Sequence, residues 1–376
     1  MKEKLLPLTS MRFLAALFVL LSHLSFLKDN SSYSLFFVED GFIGVTFFFI
    51  LSGFILAYSY SEKFIRDEVS KRKYFIARIA RIYPLHLLTF IIALPLVFLG
   101  GVDTIIQALP NPILLHSWVP IKNVYFSANS PSWSISTELF FYLLFPFLIL
   151  LRTRVLLLTF IALISFQIGG LSMIHDETIE HALFYISPFF RVSDFILGIL
   201  LYKAYKSQPE LSISKINKIQ VASVSSLLVF IIFAYYFSIG IEYKYSLFYI
   251  APMGFVILSF AYSGGLLGSL LSNKVLVFLG ESSFALYLVH QLIIRYSLGL
   301  NKKFELLSDG AMLFFILFFS LSLSVLLFKY FETPARKFVV RLLSEKRKNT
   351  SHHMPFWFVP KWTAGEDSPN KQINKD

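Results

Sequence analysis

The sequence predicts an all-α, polytopic transmembrane helical bundle with both termini in the cytoplasm. Three observations lead there. Apolar runs of about 20 residues, each enough to cross the hydrocarbon layer as a helix, recur from one end of the chain to the other. The composition is 56% hydrophobic and 18% aromatic with only 15% charged residues, against about 25% charged in soluble domains. The basic residues gather in alternate loops, as the positive-inside rule requires of a chain threaded back and forth. The formal charge of +11 therefore reflects topology, and nucleic acid is not an expected partner. The chain has no cysteine, which excludes disulfides, thiolate metal sites and thiol catalysis.

About ten spans are expected, at 8–27, 42–60, 84–101, 137–151, 154–172, 188–205, 219–238, 244–262, 276–299 and 309–331. The first, LTSMRFLAALFVLLSHLSFL, is too long for a signal-peptide core, and no small-residue cleavage site follows it. The second, GFIGVTFFFILSGFIL, carries Gly41, Gly44 and Gly53, small residues that let helix backbones approach. The 61–83 loop then holds Lys63, Arg66, Lys71, Arg72, Lys73, Arg78 and Arg81. Arg152, Arg154, Lys203, Lys206, Lys215, Lys218 and Lys274 fall in later loops on the same side. The opposite loops are poor in Lys and Arg and include Glu39, Asp40 and the run His175, Asp176, Glu177. The longest outer connection, 102–136, contains four prolines with Trp118 and Trp133, and reads as an interfacial belt or an ordered lid.

Residues 1–343 are thus expected to form the transmembrane domain and 344–376 a polar, mobile cytoplasmic tail. The tail's aromatic patch PFWFVPKW at 355–362 is too short to span but suits a membrane surface. No internal repeat is evident, which weakens a reading as a transporter of inverted halves.

Ionisable residues inside apolar segments mark candidate functional sites, because an arginine in lipid costs about 2.5–3.5 kcal/mol. Arg12 and His23 both lie in the first segment. Eleven residues turn a helix through about 1100°, so the two share a face within about 20° and stand about 16 Å apart along the axis. Arg12 is expected near the cytoplasmic side and His23 near the outer one. The fourth segment, SPSWSISTELFFYLLF, runs the other way and brings Glu138 to a depth similar to that of His23. A carboxylate there can orient an imidazole as a general base. Helix capping is an equal account of Glu138, and Ser134 and Ser136 are also candidate caps.

Arg78 and Arg81, in RKYFIARIARIYPLH, share a helical face where the third segment becomes apolar. Guanidinium forks so placed suit phosphate. Trp133, Ser134, Tyr287 and His290 are candidate substrate-binding residues, the last two lying deep in the ninth segment in GESSFALYLVHQ. Arg191 and Asp194, three apart, read as a structural ion pair. Pro334 is expected to end the tenth helix and leave Glu332 to pair with Arg336. No metal site is expected, since His, Asp and Glu do not approach each other at ligand spacing.

Taken together the motifs resemble the membrane acyltransferase 3 family. They occur in family order: LTSMRFLAALFVLLSH with its Arg-x10-His pair, GFIGVTFFFILSGFIL, ARIARIYP with its Arg-x2-Arg, SPSWSISTELFFYLLFP, RVSDFILGIL, FLGESSFALYLVH and FETPARK. The resemblance implies an integral membrane O-acyltransferase of bacterial surface glycans. Such an enzyme moves an acyl group, usually acetyl, from cytoplasmic acetyl-CoA or another acyl-CoA to an outward-facing hydroxyl of a polysaccharide or lipid-linked saccharide. It implies essential roles for Arg12, His23, Arg78 and Arg81. The mechanism expected on this basis puts the arginines on the acyl-CoA and has His23, oriented by Glu138, take the hydroxyl proton in a direct attack; an acyl-enzyme intermediate is the alternative. The implied location is the bacterial cytoplasmic (inner) membrane, in contact with its lipids. Some members carry a fused C-terminal hydrolase-like domain, which is not expected here; that leaves room for a separate envelope partner protein. A transporter or flippase of a glycan precursor is the competing reading, and a non-catalytic membrane scaffold a third.

Overall fold

A computed structural model describes residues 4–24, 40–208 and 210–345. The last residues of the expected first span, Glu39 and the tail from 346, including the 355–362 patch, lie outside the described residues. All regular structure among the described residues is helical. The main helices are α1 (Leu6–Ser22), α2 (Gly44–Ile65), α3 (Lys71–Leu99), α4 (Gly101–Ala108), α5 (Trp133–Leu148), α6 (Thr153–Met173) and α7 (Pro188–Ser207). They continue as α8 (Ile213–Tyr236), α9 (Ile250–Ala261), α10 (Lys274–Glu281), α11 (Ser283–Phe304), α12 (Asp309–Leu327) and α13 (Thr333–Glu345).

Six of the described helices are long and apolar enough to cross a membrane, and seven if α10 and α11, bent by 62°, form one span. Each of the ten expected segments carries a helix, while α1 and α9 are shorter than a full span as described.

Two of the boundaries that differ from expectation bear on the arginines. The third helix begins at Lys71 rather than at 84, because Ser70 caps it by accepting from the Lys73 backbone N–H (3.3 Å). Arg78 and Arg81 therefore stand two to three turns inside a continuous helix. At the other end Pro334 does not stop the chain. A π-helical turn, Phe328–Glu332, leads directly into α13. The widened turn falls where a proline one turn later would otherwise lose a backbone bond, so the ring is accommodated at the start of α13. α13 packs along α3, and Arg72 Nη2 donates to the Leu343 carbonyl (3.0 Å).

The glycines of the second segment work as expected. A Cβ on Gly53 would lie 2.0 Å from the Phe195 carbonyl oxygen, and one on Gly198 2.0 Å from that of Ile50, so α2 and α7 cross backbone to backbone. Gly41 and Gly44 meet Phe18 and Ala15 of α1 in the same way. Arg191 and Asp194 form a fully buried ion pair (2.7 Å). Arg191 also donates to Thr46 Oγ1 (2.8 Å) and to the Tyr245 carbonyl, fastening α7 to α2.

The 102–136 connection is a fastened plug rather than a lid. Its buried polar groups are bonded to the neighbouring helices: His86 Nε2 to the Asn111 carbonyl (3.0 Å), Asn129 Nδ2 to that of Leu288 (2.8 Å), and Arg295 to that of Ala128 (2.8 Å). Within it Asn111 Nδ2 donates to the Ser127 carbonyl (2.9 Å), and His116 Nε2 and Ser132 Oγ are 3.1 Å apart. Trp118 stays 45% exposed, as an interfacial residue would.

Candidate active site

A cavity of about 650 Å³ opens among α1, α2, α3, α5 and α11. Four arginines line it: Arg12 of α1, Arg78 and Arg81 of α3, and Arg336 of α13. Two carboxylates, Glu138 and Glu281, face the same space. Burying this much positive charge is costly unless something anionic shares it.

The four guanidinium groups are held differently. Arg78 donates to the Tyr60 hydroxyl (3.2 Å) and lies over the Tyr60 and Tyr142 rings at 5.3 and 5.8 Å. Arg81 pairs with the buried Glu332 (3.4 Å). The helix continuing past Pro334 carries Glu332 to Arg81, so the expected partnership of Glu332 with Arg336 gives way to this one. Arg12 has no hydrogen bond or ion pair among the described residues; it interacts electrostatically with Arg81, Glu332, Glu138 and Tyr142. Its donors face the cavity and are available to a ligand.

Glu138 does not cap its helix. α5 begins at Trp133, so Glu138 sits on its second turn. There its Oε1 accepts from Ser52 Oγ (3.0 Å) and from the Tyr142 hydroxyl (2.6 Å), inside the arginine-lined cavity. Five residues of helix place Glu138 about 7.5 Å along the axis from Trp133. Ser134 and Ser136 do not cap the helix either. Ser134 Oγ lies 2.7 Å from the Tyr287 hydroxyl, and Ser136 Oγ donates to the Leu114 carbonyl (2.6 Å).

His23 lines a second chamber of about 220 Å³ with Trp133, His181, Tyr185, Tyr245 and Phe126 among its walls. Val45 and Tyr287 line both chambers. The end of α1 fixes the imidazole. The His23 backbone N–H turns to the Leu20 carbonyl (3.1 Å), and the Nδ1 atom takes up the carbonyl of Val19 at 2.7 Å. A carbonyl only accepts, so the proton of neutral His23 is on Nδ1 and Nε2 is the basic nitrogen. His290 is fully buried, its ring centroid 5.1 Å from that of His23.

The structure thus brings Arg12, Arg78, Arg81, Glu138, Ser134 and Tyr287 to one chamber, and His23, Trp133 and Tyr287 to its neighbour. Arg336, His181, Tyr185 and Tyr245 are lining residues that sequence reading missed. Arg336 had a visible signal in FETPAR, read there as a helix-end charge, while the aromatic residues fall in apolar or loop segments without a distinguishing pattern.

The acyltransferase-domain family model, acyltransferase 3, matches residues 8–329. This chain belongs to the acyltransferase 3 family. The acyltransferase is similar to the acyltransferase MdmB of Streptomyces mycarofaciens, 29% identical over an alignment covering 92% of this chain and 94% of that one. It is also similar to the O-acetyltransferase OatA of Staphylococcus aureus, 24% identical with 80% of this chain and 53% of that protein covered. The chain therefore spans about half the length of the latter. No solved structure matches the acyltransferase. With its long apolar helices it is a multi-pass membrane enzyme that transfers acyl groups other than aminoacyl groups.

Proposed function

We propose that this enzyme moves an acetyl group from a cytoplasmic acyl-CoA to the hydroxyl of a glycan or lipid-linked saccharide outside the membrane. The observation that carries this reading is the pair of chambers sharing Val45 and Tyr287, one lined by four arginines and the other by His23 and aromatic rings. The arginines suit the phosphates of coenzyme A, and aromatic rings with histidine and hydroxyl groups suit the face and edge of a sugar. The basic loops support a cytoplasmic arginine chamber, both termini inside, and residence in a bacterial inner membrane.

In this mechanism Arg12, Arg78 and Arg336 hold the donor so that its thioester reaches the Tyr287 wall. The acceptor hydroxyl gives its proton to His23 Nε2 as its oxygen attacks the carbonyl carbon. The C–S bond breaks, and the coenzyme A thiolate takes the proton back from His23. The hydrogen-bonded Tyr287 and Ser134 stand at the shared wall, where charge develops on the carbonyl oxygen. Holding both substrates in line supplies much of the acceleration. No step calls for a metal.

Mass spectrometry of envelope glycans, from cells with and without the intact protein, tests the proposal. A discrete acyl mass difference supports transfer. Loss of the whole polymer, as a flippase would cause, or unchanged glycans contradict it.

A further inference from the structure

A third cavity, of about 490 Å³, lies between α3 and α13 and shares Arg78, Arg81 and Arg336 with the arginine-lined chamber. Lys337, Arg341, Ala77 and Val340 also line it, and no carboxylate does. We propose that this vestibule binds the 3′-phosphorylated adenosine end of the donor, with Lys337 and Arg341 on the 3′-phosphate. The proposal rests on acyl-CoA being the donor and assigns the part of it that the arginine-lined chamber leaves outside.

The charge inventory supports this. Arg81 is already shared with Glu332, so Arg12, Arg78 and Arg336 are the cations left to a diphosphate inside. A phosphomonoester carries a further charge of about −1.5 to −2 at neutral pH. It needs cations of its own just beyond the chamber mouth. Arg336, Lys337, Val340 and Arg341 fall on one face of α13 and extend about 7.5 Å along its axis, leading away from the shared arginines. Ala77 of α3 and Val340 of α13 supply small apolar surfaces in its lining for a purine. The helix is held in place by the bond from Arg72 to Leu343. These features account for a vestibule continuous with the chamber, which simple attraction to the membrane surface does not require.

Anionic lipid headgroups offer the same phosphate chemistry, so the test separates the two sources. Binding of coenzyme A and of 3′-dephospho-coenzyme A is measured on the full chain, first in uncharged detergent and then in nanodiscs containing phosphatidylglycerol. Wild type is expected to bind coenzyme A about 10-fold more tightly than the dephospho form, the factor that 1.4 kcal/mol represents. Lys337→Gln combined with Arg341→Gln is expected to erase that preference without changing affinity for the dephospho form. Equal binding of both compounds by wild type, or a preference that survives in the variant, overturns the assignment. So does a variant whose only change is weaker dependence on the charged lipid. Failure of both compounds to bind at all would overturn the acyl-CoA reading itself.

Discussion

The Nδ1 atom of His23 lies 2.7 Å from the carbonyl oxygen of Val19, one helical turn earlier in the same helix. The imidazole is therefore anchored on its Nδ1 side by the backbone of its own helix. Glu138, bonded to Ser52 and Tyr142, belongs to the cavity that holds the arginines.

Glu138→Gln should accordingly leave the pH dependence of turnover in place. An amide oxygen can still accept from Tyr142 and Ser52, while the loss of negative charge changes how the arginines hold the donor. The expected result is a several-fold change in KM for acetyl-CoA with the acidic limb of the kcat profile unmoved. A shift of that limb by about one pH unit, which corresponds to about 1.4 kcal/mol of interaction, would restore a direct Glu138–His23 pairing.

Arg78 and Arg81 should respond differently to truncation. Arg78→Ala removes a guanidinium bonded to a tyrosine and should weaken donor binding by about 10-fold, 1.4 kcal/mol, with little change in thermal stability. Arg81→Ala also strands the buried Glu332, a loss of about 3 kcal/mol for a buried pair. Combining Arg81→Ala with Glu332→Gln should recover stability and leave donor affinity close to that of wild type, since Arg81 is already shared with Glu332. Thermal unfolding and donor titration on the same samples distinguish the two effects.

The plug contributes a pH dependence of its own. Burial, reinforced by the neighbouring His86, lowers the His116 imidazole to about 3, against about 6.5 when unfolded. The unfolded chain binds the extra proton between those values, so this stabilisation is complete above about pH 6.5 and falls away as the pH drops toward 3. The slope has a limit of about 1.4 kcal/mol per pH unit for one proton. His116→Asn should flatten the loss of stability between pH 6.5 and 5. An unchanged slope in a folded variant would remove His116 as its source.

The helical class and the placement of most helices were legible because apolar length and charge alternation are local signals. The arginines were legible because charge in an apolar segment is expensive wherever it falls. The surroundings of Glu138 were not, since Ser52 comes from a helix distant in sequence and meets it only in the folded chain. Nor was the partner of Arg81: a proline ordinarily ends a helix, and only the π-turn at Phe328–Glu332 carries the chain through. Tyr185, in a π-helical stretch, and Tyr245, in a turn, line the His23 chamber and meet only in three dimensions, where their rings stand 4.9 Å apart.

In the proposed reaction, donor and acceptor enter from opposite faces and meet at His23. Sealed vesicles of known orientation, given labelled acetyl-CoA on one face and acceptor glycan on the other, test this directly. Label should reach the glycan only when the donor is on the side of Arg78 and Arg336. His23→Ala should keep donor binding while losing transfer by at least about 100-fold, the lower range for a general base. Transfer with the donor confined to the opposite face, or full turnover by His23→Ala, would contradict it.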